Sequence, residues 1–331
     1  MSLQSRKVRI VDAIFDITGD SGYLTSMGDT FEPATLDVLH SLVTNESHVI
    51  DVGANIGFTS IAFSTFCPNG KIAAVEPVPR TFELLEKNLS AAGVTNVSRL
   101  NFALGAQAGE LKMQGNPDFL AGSFVADKFS INDGIHFVDT VPVYRLDEAF
   151  ESMGLARVDA MKVDVEGFEL DVFEGARATL ETFKPLVFME MNHWCLSMFR
   201  RMTIPDFRER LLSIFPYIYA IHGLEACDMR VENVAYYVAH EHLTQNKFTN
   251  LIAGFDKDRV ATAIERYKER RAAHLPAWAG LLPHEIDALI ARAKAAEERA
   301  RIYEYRSEVL EKVVNDKERL IWALEEKLAR K

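Results

Sequence analysis

Apolar residues between Val49 and Asn192 fall in short unbroken runs separated by longer amphipathic stretches. The runs "HVIDVGA", "KIAAVEP", "VSRLNFAL", "DAMKVDVE" and "LVFMEMN" are too continuous for strands with one wet face. They predict strands buried on both sides, hence a mainly parallel sheet covered by helices. Between them "PRTFELLEKNLSAAG" reads as a helix from Pro79 to Gly93, and "GFELDVFEGARATLETF" as another. From Gly109 to Leu146 the alternation breaks into a Gly-, Asn- and Asp-rich excursion, bounded by probable strands "ELKMQ" and "VPVYRL". An excursion of that length is expected to be a lid or substrate loop. Beyond Asn192 the pattern predicts a helix over Pro205 to Phe215 and two closing strands, "YIYAIHG" and "NVAYYVAH".

The tail follows another period. From Ile286 to Leu328 apolar or small residues recur at heptad spacing, which predicts a coiled coil and a homo-oligomer or partner assembly built on it. The heptads run to the last residues, as in a front module of a longer protein. The organisation expected is a helical lead-in over 1–47, a catalytic α/β domain over 48–243, a helical connector over 244–284 and a coiled coil over 285–331.

Composition changes this picture little. The chain has 331 residues and a formal net charge of -11, which opposes a phosphate-tracking surface and makes nucleic acid a poor partner. Three cysteines, Cys67, Cys195 and Cys227, lack metal-site spacing and fit reduced thiols in the cytoplasm. No stretch reads as a membrane span or signal peptide.

The chemistry is concentrated in "VIDVGANIGFTS". Asp51, Gly53, Ala54, Asn55 and Gly57 sit where a strand turns into a helix, and glycines there let the backbone fold closely under a ligand. Glu76, at the end of the next run, stands where an acid accepts both ribose hydroxyls of a nucleotide-like cofactor. The turn departs from G-x-G-x-x-G, and its early acid suits a cofactor with an ammonium group, such as S-adenosylmethionine.

With "AVEPVPRTFELLEKNL", "NFALG", "VPVYRLDEAF", "MKVDVEGFELDVFEGA" and "LVFMEMN", the turn resembles the FkbM family of S-adenosylmethionine-dependent methyltransferases over roughly residues 31 to 240. The resemblance implies a Rossmann-like class I methyltransferase fold, a mostly parallel seven-stranded sheet whose last strand is antiparallel. It also implies O-methylation of a sugar or natural-product hydroxyl. Asp51, Gly53, Asn55 and Gly57 then form the first cofactor motif, Glu76 holds the ribose, Ala103 lies beside the adenine, and Asp164, Glu166 and Gly167 match D-V-E-G. Arg145 departs from the small residue more usual before "LD", and nothing in the family pattern accounts for the heptads.

Methyl transfer to an alcohol needs alignment and a proton acceptor, or a metal that acidifies the hydroxyl. Asp164, Glu166, Glu190, Asn192 and His193 are expected at the carboxyl ends of the strands, where ligands bind in such sheets. His193 is the favoured base. The alternative is a magnesium ion on Asp164, Glu190 and Asn192. Lys162 is expected to pair with Asp164, His222 is an outside candidate, and His136, Phe124 and Phe137 line the excursion or simply pack it. Competing with the O-methyltransferase are an N- or protein-methyltransferase of the same fold and a methyltransferase-like scaffold.

Overall fold

In the computed structural model, which describes residues 3–274, exposure alternates along Leu3–Ile10 (β1), with Val8 and Ile10 turned inward. That period of two makes a strand, and it pairs antiparallel with Ala13–Asp20 (β2). The helical lead-in expected over 1–47 is therefore corrected: a hairpin comes first, followed by Ser21–Met27 (α1) and Pro33–Ser41 (α2). A side chain supplies the outer partner of β2. Asn88 accepts from the Thr18 amide at 2.8 Å and donates to the Thr18 carbonyl at 2.9 Å and that of Ile56 at 2.8 Å.

Val49–Val52 (β3), Ile72–Val75 (β4) and Val97–Leu100 (β5) run parallel, linked by Phe58–Phe66 (α3) and Pro79–Ala91 (α4). Alternate residues of β3 and β4 enter opposite hydrophobic cores, Ile50, Val52, Ala73 and Val75 on one face, Val49, Ile72 and Ala74 on the other. Both faces are covered, which is why the runs are continuously apolar.

Ala103–Leu104 (β6) starts a second sheet with Gly109–Asn116 (β7), Phe119–Val125 (β8) and Phe137–Tyr144 (β9), in the order β6-β9-β7-β8. The excursion is thus a structured roof. Leu146–Ala149 (α5) leads back to Ala160–Val163 (β10) beside β3. The single helix expected next is two, Glu169–Glu174 (α6) and Arg177–Phe183 (α7). They part at Gly175, where a Cβ would overlap the Gly105 carbonyl oxygen.

Leu186–Glu190 (β11) pairs parallel with β10, and His193–Cys195 (α8) and Ile204–Leu212 (α9) lead to Tyr217–His222 (β12) and its hairpin partner Glu225–Asp228 (β13). The expected strand "NVAYYVAH" is instead part of the helix Glu232–Gln245 (α10), which buries Ala235, Val238 and His242 at helical spacing. The closing strand is Asn250–Gly254 (β14), antiparallel between β11 and β12, followed by Lys257–Ala273 (α11). The order β13-β12-β14-β11-β10-β3-β4-β5 is the expected seven-stranded arrangement with β13 added at one edge. Because β14 is central to the sheet, the domain extends past the boundary expected at 243. Among the described residues no helix is long and apolar enough to cross a membrane. The coiled coil expected over 285–331 lies outside the described residues.

Candidate active site

The strand-to-helix turn after β3 is built around a crowded backbone. Gly53 adopts φ 75°, and a Cβ there would overlap the carbonyl oxygen of Asp164 at the end of β10. The glycine is required by strand-to-strand contact as much as by any ligand. Asp51, expected at the cofactor, is fully buried and does not line the cleft. One carboxylate oxygen accepts from Thr59 Oγ1 at 2.7 Å and Ser60 Oγ at 2.6 Å, anchoring the first turn of α3, and the other faces Lys162 Nζ at 3.7 Å. Asp51 thus holds the turn in shape, where the helix N-terminus favours an anion.

Glu76 is brought to the same turn by β4. Its two oxygens accept from the Asn55 amide at 3.0 Å and the Val78 amide at 2.9 Å. Only 6% of the residue is exposed, and this burial raises the carboxyl pKa to about 7 against the pull of those amides. Gly53, Asn55, Glu76 and Ala103 all line one lobe of a cleft, of about 250 Å³, with Phe102 and Leu104 beside them. Ala54 lines the second lobe, of about 200 Å³, and Gly57 begins α3 at φ 102° just behind the turn.

Acids converge where β10 and β11 end. Asp164 is 40% exposed and lies 3.3 Å from Lys162 Nζ. Lys162 also donates to the Gly53 carbonyl at 2.6 Å, so its charge is consumed within the scaffold. Burial works against that charge, but Asp164 and Asp51 outweigh it and hold the ammonium above its ordinary pKa. Glu166 sits at φ 53°, a conformation costly for a side chain that is not glycine, and its Oε2 accepts from the Cys195 thiol at 2.9 Å. Burial, reinforced by Asp164, raises its pKa to about 7. Glu190 is pushed well above the carboxylate range by burial and then by Asp164, Glu166 and Glu169. It lines both lobes, and among the described residues no donor hydrogen bonds its carboxylate. Glu169, which the sequence reading passed over, accepts from the amides of Val165 and Gly167 and shapes the D-V-E-G turn from behind.

His193 and Asn192 are placed elsewhere. Asn192 caps α8, its Oδ1 accepting from the amides of Trp194 and Cys195 at 3.1 and 3.3 Å, so the oxygen proposed for a magnesium ion is occupied. Among the described residues no group of three or more His, Cys, Asp or Glu is arranged to hold a metal ion. The His193 ring packs edge-on against His242 at 4.9 Å and does not line either lobe, which corrects its expected place beside the reacting hydroxyl. His242 donates from Nδ1 to the Lys247 carbonyl at 2.8 Å and accepts at Nε2 from the His193 amide at 3.2 Å, which fixes a neutral ring. His222 is exposed, His136 pairs with Asp133 on the surface, and Phe137 lies under the Arg80 guanidinium. Phe124 stacks on Phe199, and Arg145 pairs with Asp147.

The walls missed by sequence reading come from the lead-in and the roof. Tyr23, Phe31 and Glu32 line the cleft from α1 and the segment before α2, while Met113, Leu120 and Ser123 line it from β7 and β8. Asp20 joins the two, accepting from the Tyr23 amide at 2.8 Å and the Leu120 amide at 3.4 Å. Arg200 fastens the roof from the far side, through Asp127 at 2.8 Å and Asp171 at 2.8 Å.

Comparison with known proteins gives a consistent picture. The family described as Methyltransferase FkbM domain matches residues 51–219. Methyltransferase 1 of Beauveria bassiana (strain ARSEF 2860) is 31% identical over 147 residues, 40% of this chain and 59% of the relative. Hexuronic acid methyltransferase AglP of Haloferax volcanii is 32% identical over 132 residues, 40% of this chain and 51% of the relative. The crystal structure of methyltransferase FkbM from Methylobacillus flagellatus KT superposes with a TM-score of 0.41 and 16% identity, covering 64% of this chain and 44% of that one. The chain spans little more than half the length of the curated relatives it matches.

Proposed function

Because the chain belongs to the FkbM methyltransferase family, matched over residues 51–219, we propose that it transfers the methyl group of S-adenosylmethionine to a hydroxyl of a sugar or another polyhydroxylated metabolite. The observation that carries this reading is the two-lobed cleft at the carboxyl ends of β3, β4, β10 and β11, with Glu76 in one lobe and Glu190 shared between both. The first lobe suits an adenosine. Val75, Phe102, Ala103 and Leu104 offer an apolar slot, and each Glu76 oxygen, holding one backbone amide, keeps a lone pair for a ribose hydroxyl. The Asn55 Oδ1 is buried with no protein partner and is a further acceptor at that lobe.

Bound there, S-adenosylmethionine supplies a methyl group on a sulfonium, ready for in-line displacement. Glu190 takes the proton of the acceptor hydroxyl as its oxygen attacks, because a carboxylate whose basicity has been raised by burial is matched to that task near neutral pH. Asp164, held by Lys162, orients the acceptor at the junction of the lobes. The sugar class is supported by the hexuronic acid methyltransferase among the relatives and by the polar, carboxylate-rich second lobe. The test is transfer of a labelled methyl group from S-adenosylmethionine to a panel of sugars and glycans, followed by mass. A chain that binds neither S-adenosylmethionine nor S-adenosylhomocysteine refutes the reading.

A further inference from the structure

Among the described residues that line the two lobes, Lys162 is the single basic side chain, and the scaffold already neutralises it through Asp51, Asp164 and the Gly53 carbonyl. The second lobe therefore offers a negative surface from Glu32, Asp164 and Glu190. It also offers aromatic faces. Phe31 stacks on Phe58 at 4.8 Å, and Tyr23 meets Phe58 edge-on at 6.1 Å. Glu32 and Asp164 both act on the Tyr23 hydroxyl and, after burial itself, are the largest influences that resist its ionisation, which places both carboxylates around that ring. Carboxylates around aromatic rings are the chemistry that recognises an organic cation.

The position of this wall indicates which ligand it serves. Tyr23, Phe31 and Glu32 precede the matched family domain at 51–219, whereas the turn and Glu76 assigned to the cofactor lie inside it. A wall contributed from outside the shared domain serves the ligand that differs between members, which is the acceptor. Resting on the methyltransferase reading above, we propose that Tyr23, Phe31, Glu32, Phe58 and Asp164 form a subsite for a protonated amine on the acceptor. The acceptor is then an amino sugar or amino alcohol whose hydroxyl is methylated, and a carboxylate at the same position is repelled.

The test uses the full chain saturated with S-adenosylhomocysteine and titrated with the methyl glycosides of glucosamine, glucose and glucuronic acid. Glucosaminide should bind about tenfold or more tighter than glucoside, the scale of one charge-assisted contact with an aromatic neighbour, and glucuronide weakest. Glu32→Gln keeps the acceptor for Thr35 Oγ1 but removes the charge, and should erase most of the amine preference without changing S-adenosylhomocysteine affinity. Tyr23→Leu, measured in parallel, should weaken glucosaminide binding while Glu32 is intact. Equal binding of the three glycosides, no binding of glucosaminide, or a preference that survives Glu32→Gln overturns the inference. If Glu32→Gln instead weakens S-adenosylhomocysteine, the cation held is the cofactor's own ammonium and the inference is likewise overturned. Failure to bind S-adenosylhomocysteine at all refutes the methyltransferase reading, a separate result.

Discussion

Glu76→Gln isolates the group on which cofactor recognition is proposed to turn. In the wild type each carboxylate oxygen accepts one backbone amide, from Asn55 and from Val78, and each has a lone pair left for a ribose hydroxyl. Glutamine keeps one such oxygen and replaces the other with an amide NH₂, which cannot accept from a ribose hydroxyl and faces a backbone donor. One charge-assisted bond, about 1.5 to 3 kcal/mol, is lost, so affinity for S-adenosylhomocysteine should fall by roughly ten- to a hundredfold. The unpaired amide costs the fold about 1 to 3 kcal/mol, offset by no longer burying a charge, so the melting temperature should move little.

Protonation supplies a second signature. Ribose hydroxyls donate to the ionised form, and the free-site pKa is about 7, so wild-type affinity should rise by up to about tenfold per pH unit from pH 5.5 toward 7 and then level. Isothermal titration at pH 5.5, 7 and 8.5 on both proteins reads the difference between the two profiles, which subtracts the contribution of Glu166 and Glu190. Superimposable profiles with equal affinities would falsify the placement of ribose on Glu76.

Glu190→Gln should lower turnover by about a hundredfold while leaving S-adenosylhomocysteine affinity within a few-fold, whereas His193→Ala should change turnover only a few-fold because its ring lies against His242 outside the cleft; the opposite ranking in single-turnover assays restores histidine as the base. Gly53→Ala combines a left-handed φ with overlap on the Asp164 carbonyl, an expected loss of about 2 to 5 kcal/mol, and a thermal melt shifted by less than a few degrees counts against that geometry. Glu76 and Glu169 are both raised from 4.5 to about 7 in the folded chain, so the native state binds more protons than the unfolded one between those values. Their contribution, on the order of 3 kcal/mol each, is complete below about pH 4.5 and lost as pH rises through about 7. Urea melts of the ligand-free protein should give lower stability at pH 8 than at pH 5, and equal values contradict the burial of these acids.

The β3 turn, Glu76 and the D-V-E-G segment were legible because each depends on one strand end and its immediate continuation. Elements whose identity depends on partners were harder to read. The β1–β2 hairpin turns at Val11 and Asp12, with Val11 at φ 55°, and so lacks the Asn-Gly type of signal that announces a two-residue turn. The run "NVAYYVAH" is rich in strand-forming residues, yet its buried positions at 235, 238 and 242 follow a helical period. His193 is one residue beyond the Asn192 cap, and the start of α8 there turns its ring to α10 and away from the cleft. Tyr23 and Glu32 carried no motif at all, since only the docking of the lead-in on α4 and β8 brings them to the strand ends.

That docking depends heavily on Asn88, which stands in for the strand that β2 lacks on its outer side. A contact between positions 18 and 88 closes a loop of 70 residues, whereas β1 and β2 close theirs across two. The hairpin can therefore form early by itself, but it has nothing to seat against until α4 has packed on β3 and β4. The acceptor wall is then among the last parts of the molecule to assemble, and Asn88→Ala should slow that final step while the nucleotide lobe matures on schedule. In kinetic terms the chain acquires the means to hold a methyl donor before it acquires the means to choose what to methylate.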